Sequence, residues 1–118
     1  MLVKDSIGKY GEELATRHLV GAGMQVLARN WRCAAGEIDI VARDGSDLVV
    51  VEVKTRTSTA FGTPAEAITR RKAEKLRELA LHWLRAHPAR GATLRFDVVG
   101  VLLPRSGAAR LEHLKGVL

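Results

Sequence analysis

The chain has 118 residues, 47% of them hydrophobic and 27% charged, which suffices for one hydrophobic core and not for two, so residues 1–118 are read as a single domain. Lys and Arg number 19 against 13 Asp and Glu, and a net charge of +6 draws such a protein to polyanions, nucleic acid first and an anionic membrane surface second. Cys33 is the one cysteine, which excludes an internal disulfide and a cysteine-built zinc site, and no apolar run approaches the ~18 residues of a spanning helix, so a cytoplasmic protein with no membrane association is expected.

The first predicted element is a helix from Ser6 to about Val20, with Ile7, Tyr10, Leu14 and Leu19 on one broad side and Gly21 and Gly23 as stop signals. Three strands follow: "MQVLARNWR", the alternating "EIDIVAR", and "DLVVVEVKT", rich in β-branched residues. Asp44-Gly45-Ser46-Asp47 between the last two is a hairpin signal. After the loop "RTSTAFG", Thr63-Pro64-Ala65-Glu66 combines a capping box with proline at a first helical position, which predicts a second helix from there to about His87, stopped by Pro88. "TLRFDVVGVLL" is a fourth strand, and the end from Arg110 has no defined pattern. The order αβββαβ predicts an α/β fold, a mixed central sheet flanked by helices.

The polar residues inside those strands carry the functional question. If Arg43 and Leu48 close the hairpin loop, Asp39 lies opposite Glu52 and Glu37 opposite Lys54, all on one face, while Ile38, Ile40, Val51 and Val53 form core on the other. Directly opposed carboxylates repel. A divalent cation relieves that repulsion, since Mg²⁺ takes a few carboxylate oxygens, keeps waters and completes its shell with phosphate oxygens. Lys54, two residues past Glu52 on the same side, can orient or deprotonate a water and stabilise charge on phosphorus. The alternative is a solvated face in which Glu37 pairs with Lys54 and Asp39 with an arginine.

Asp39 with Glu52-Val53-Lys54 resembles the D…ExK signature of the PD-(D/E)XK nuclease superfamily, and "NWRCAAGEIDIVARD", "LVVVEVKTR", "FGTPAEAI" and "RFDVVGV" are similar to its YraN-like family over nearly the whole chain. The resemblance implies a restriction-endonuclease-like three-layer core, kinship with Holliday-junction resolvases, and DNA cleavage with Mg²⁺ or Mn²⁺. Asp39, Glu52 and the Val53 carbonyl would be metal ligands and Lys54 the catalytic lysine. Ile38 stands at the place of the pattern's proline, which is often absent among its members. An acid of the first helix joins the site in resolvase-like relatives; Glu12 lies at the edge of the apolar side and Glu13 nearly opposite it, so Glu12 is the candidate. A helix-start acid favoured by the dipole is the other reading of Glu12.

Lys72 falls within the apolar stripe Ala65, Ile68, Leu76, Leu79, Ala80 and Trp83 of the second helix. Either its stem covers apolar surface and its amine reaches water, or it reaches over the sheet to the acids or a phosphate. Arg56, Arg70 and Arg71 are further candidates for phosphate, and Asp97 is read as a partner of Arg95 or of backbone. Three functions stay open: a metal-dependent DNA nuclease acting on branched or damaged structures, a nucleic-acid-binding accessory protein that cuts little, and an interaction protein whose charge serves solubility. A resolvase-like role implies a homodimer, because two strands are cut symmetrically.

Overall fold

A computed structural model describes residues 2–58, 62, 63, 66 and 68–117, with side chains from Ser6 onward. The elements are α1 (Leu2–Gly21), β1 (Gln25–Cys33), β2 (Gly36–Asp44), β3 (Asp47–Arg56), α2 (Arg70–Ala86), β4 (Thr93–Leu102) and β5 (Arg110–Leu114). The five strands lie side by side in chain order, antiparallel except for β3 and β4, which run parallel and are joined through α2. Among the described residues no helix is long and apolar enough to cross a membrane.

Strand alternation splits the core into two layers. Ile40, Ala42, Val49, Val51, Val53, Val99 and Val101 meet Ala15 and Leu19 of α1. On the opposite face Val41, Leu48, Val50 and Phe96 meet Leu76, Leu79, Ala80 and Trp83 of α2. The sheet is therefore sandwiched, α1 on one side and α2 on the other.

The β2–β3 hairpin has the predicted register, with Arg43 opposite Leu48 and Ile40 opposite Val51. Its turn is tighter than expected: Asp44 and Asp47 also pair, leaving only Gly45 and Ser46, and Gly45 takes a φ of 60° that suits glycine in a two-residue turn.

One core assignment needs correction. Ile38 does not join Ile40, Val51 and Val53; it packs in the α2-side cluster with Val41. Ala28 and Trp31 of β1 pack in that same cluster and pair with Val41 and Ile38. Residues three apart cannot share a face on a regular strand, so both strands change face between these pairs. Asn30 sits there with a φ of 50°, a left-handed conformation that asparagine tolerates better than most residues. Asp39 lies in the same switch on β2.

Two further boundaries differ from expectation. Thr63 and Glu66 do exchange capping hydrogen bonds, at 3.3 and 3.4 Å, and Pro64 and Ala65 lie outside the described residues. α2 itself begins at Arg70, where the Thr69 hydroxyl accepts the Lys72 N–H at 3.1 Å, so Ile68 precedes the helix. The buried stripe Ala73, Leu76, Leu79, Ala80 and Trp83 starts only beyond that cap. The chain end, read as undefined, forms β5 on the outer edge of β4. With five residues and only Leu111 and Leu114 aliphatic, its pattern is too short and polar to stand out.

Candidate functional site

At the open end of the β2–β3 hairpin lies a cleft of about 290 Å³ lined by Ile7, Gly8 and Glu12 of α1, Asp39 of β2, and Glu52, Val53 and Thr55 of β3. Its position follows from two local features. The described β2–β3 ladder stops at Ile40 and Val51, and beyond it an Asp39 carboxylate oxygen accepts the Val53 N–H at 2.9 Å in place of a backbone partner. α1 approaches β3 closely because residue 11 is glycine: a Cβ there would collide with the Thr55 hydroxyl. That approach sets Glu12, the next residue, over the acids.

Asp39 lies close enough to Glu52 to hydrogen-bond to it when protonated. Burial, that hydrogen bond and the charge of Glu52 raise the Asp39 carboxyl to about 8, with Glu12 adding to the rise and the Val53 N–H opposing it. Glu52 is 6% exposed. Its Oε2 has no hydrogen-bond donor. The compensation it does have comes from the other face, where the Lys72 ammonium stands 3.1 Å from Oε2 as an ion-pair contact without directed hydrogen-bond geometry.

The structure thus brings Glu12, Asp39, Glu52, Val53 and Lys72 together. Glu13 instead pairs with Arg17 and Arg29 at the surface. Lys72 occupies the first turn of α2, not its middle, and reaches the acid through its long stem. Lys54 does not line the cleft; it lies half-buried two residues past Glu52, paired in register with Gly100 of β4, while the cleft opens toward α1. Glu37 is not opposed to Lys54 but held by Arg32 of β1 at 2.6 Å. Arg56 borders a separate cavity, Arg71 lies at a shallow surface hollow of α2, and Arg70 is exposed. Among the described residues, no group of three or more His, Cys, Asp or Glu stands ready to hold a metal ion unaided.

A second carboxylate centre escaped the sequence reading except for one pair. Asp97 is fully buried and takes two hydrogen bonds from Arg95, at 2.9 and 3.0 Å, one from His113 at 2.8 Å and one from the Gly116 N–H at 3.0 Å. Arg95 also reaches Asp44 and Asp47 across the sheet, and the His113 ring meets His18 of α1 at 3.1 Å. Only Arg95 and Asp97, two apart on one strand, are legible as partners in the chain; His18 and His113 are 95 residues apart.

Comparison with known proteins matches residues 11–101 to the model of "Uncharacterised protein family UPF0102". The chain belongs to that family. It is the YraN-like family that the motif blocks resemble. The chain is 58% identical to a UPF0102 protein of Beutenbergia cavernae over 117 residues, 99% of each chain. It is 53% identical to one of Frankia alni over 116 residues, covering 98% of this chain and 97% of the other. For a UPF0102 protein of Streptomyces coelicolor the identity is 56% over 119 residues, with 99% and 92% covered.

Proposed function

We propose that the protein is a metal-dependent nuclease of the restriction-endonuclease-like type that hydrolyses phosphodiester bonds in DNA, with Asp39, Glu52 and the Val53 carbonyl as ligands of Mg²⁺ or Mn²⁺. The observation that carries this reading is the charge imbalance of the cleft. Two carboxyl groups lie within hydrogen-bonding reach of each other, a third acid stands beside them, and one buried oxygen of Glu52 has no hydrogen-bond donor. An all-oxygen donor set suits a hard cation, and Mg²⁺ is ordinarily held by one or two carboxylates plus waters and phosphate rather than by a complete protein cage.

When bound, the ion would polarise a phosphoryl oxygen and supply a water of lowered pKa at the attacking position. The chain's own residues do the rest. The Val53 N–H fixes one Asp39 oxygen, so the carboxylate is oriented before substrate arrives. Lys72 holds Glu52 from the far side and stands in for part of the missing positive charge. Lys54 projects from the α2 side of β3 and does not line the cleft, so no step at the cleft is assigned to it. Glu12 is the nearest further acid and can take the water's proton directly or through a second water.

The test is a cleavage assay over branched, flapped, single-stranded and linear DNAs with Mg²⁺ or Mn²⁺. Asp39→Asn and Glu52→Gln should each lower cutting at least 100-fold while metal-free DNA affinity does not fall, because Asp39, raised to about 8, already keeps its proton near neutral pH and neither substitution adds negative charge facing phosphate. Salt-dependent binding of every DNA with no metal-stimulated cutting by the parent would replace this reading with that of an accessory binding protein.

A further inference from the structure

The described lining of the acidic cleft sorts by chemistry: Glu12, Asp39 and Glu52 are acids, Ile7, Gly8 and Val53 bring no polar side chain, and Thr55 is the remaining member. Lys72 reaches Glu52 from the α2 side, and Lys54 lies outside the lining. Thr55 therefore carries the one side-chain hydrogen-bond donor of that lining that needs no added proton. Its direction follows from β3 and α1 together. Thr55 lies two residues past Val53 and so on the same face, where Val53 packs with Ala15 and Leu19 of α1. Oγ1 is the Thr55 atom nearest the place that a Gly11 Cβ would take, so the hydroxyl sits under α1, at the stretch bounded by Gly8 and Glu12. Among the described residues no hydrogen bond uses it. Glu52 Oε2 is the one buried side-chain oxygen or nitrogen without a hydrogen-bond partner among those residues, so the Thr55 hydroxyl, which also lacks one, is reached by solvent.

We propose that the Thr55 hydroxyl donates a hydrogen bond to a nonbridging oxygen of the DNA phosphate that enters the cleft, a reading that rests on the nuclease assignment. A phosphodiester brings a negative charge to a wall that already carries three acids. A hard cation offsets that charge, but its attraction has no fixed direction about the phosphate. A charge-assisted hydrogen bond does, and it limits the orientations in which the phosphate can lie. The residue type fits the place. A lysine or arginine side chain here would pair with the acids and occupy the position of the metal, whereas a hydroxyl donates without adding charge. Thr55 is thus a positioning residue: it orients the phosphate and takes no part in breaking the P–O bond. Because the contact is to the backbone of the nucleic acid, it adds affinity whatever the base sequence.

The test is fluorescence anisotropy with a labelled flapped DNA duplex, Ca²⁺ supplying the hard cation and a denaturing gel confirming that the DNA stays intact. Three variants are compared with the parent. Thr55→Val keeps the shape and the strand preference, Thr55→Ala removes the group without crowding Gly11, and Thr55→Ser restores the hydroxyl alone. Thr55→Val and Thr55→Ala should each weaken binding at least fivefold, and Thr55→Ser should stay within about twofold of the parent, the hydroxyl being the group that binds. If Thr55→Val shifts the thermal transition, Thr55→Ala against Thr55→Ser decides. Serine falling together with alanine would assign the effect to methyl packing under α1 and overturn the proposal, as would parent-like binding by all three. If serine and alanine separate as expected while no DNA is cut in Mg²⁺ or Mn²⁺, the phosphate contact stands and only the nuclease reading fails.

Discussion

Asp39 and Asp97 are both aspartates on central strands, and their surroundings drive them in opposite directions. Burial alone would raise the Asp97 carboxyl, yet hydrogen bonds from Arg95, His113 and the Gly116 N–H outweigh it and hold the group below the usual carboxylate range. Asp39 receives one backbone N–H and faces two other acids, and it is pushed up to about 8. Burial does not by itself mark a site; the ratio of donors to acids does. Where donors are sufficient the carboxylate ties strands together, and where they fall short the cleft is left with an appetite for positive charge.

The largest expected effect is at the satisfied centre. Asp97→Ala strips Arg95 and His113 of their buried partner and should cost about 3–5 kcal/mol in urea unfolding, the scale of breaking one side of a buried ion pair. A loss under about 1 kcal/mol would mean that Asp44 and Asp47 hold Arg95 without it.

The contrast has a signature in pH. Because the folded protein keeps the Asp39 proton up to about 8 while the unfolded chain releases it near the ordinary carboxylate value, the metal-free fold loses stability as pH rises through that interval. Asp97, with its lowered value, acts the other way: its contribution is present above the ordinary carboxylate value and is lost as pH falls below it. Comparing the parent with Asp39→Asn over about pH 6.5 to 8 isolates Asp39, because the other titrating groups are common to both proteins. Over that interval Asp39→Asn should be more stable than the parent by an amount that grows with pH. A difference that stays constant or shrinks would contradict the raised Asp39 carboxyl.

Lys72→Met should have a smaller effect. The Lys72 side chain is 37% exposed, so about 1 kcal/mol is expected in thermal unfolding, with a marked fall in metal-stimulated cutting. Unchanged cutting would reduce Lys72 to a cover for Glu52. Smallest of all is Arg32→Ala, which frees Glu37 at the surface; the arginine is 81% exposed, and the loss should stay below about 0.5 kcal/mol.

What could be read from the chain follows from where the physics is local. The Asp44–Asp47 turn and the flanking Ile and Val runs determine the hairpin register as far as Ile40 and Val51, just past which Asp39 and Glu52 meet at the face switch. Glu12 over Glu13 follows from helical spacing and the apolar side, and Lys72 does reach Glu52 as its place among apolar positions suggests, although from the first turn of α2, one residue before the buried stripe begins. The face switch at Asn30 does not follow, because alternation assumes a regular strand and one left-handed residue breaks the assumption. Nor does β5, whose partner is determined by β4 and not by its own pattern. The predicted start of α2 falls early because Thr63 and Glu66 do make the capping bonds, while the helix itself is capped by Thr69 and its buried stripe begins at Ala73.

The face switch also matters for anyone who would transplant the cleft. Grafting the D…ExK residues onto a straight hairpin would reproduce the order of letters and lose the arrangement, because Asp39 works where β1 and β2 turn over together, between Ala28–Val41 and Trp31–Ile38. A working graft has to import the neighbouring strand's twist along with the acids. Asn30, which touches no proposed substrate, is then part of the minimum transferable unit, and replacing it with valine would be a defect of architecture rather than of chemistry.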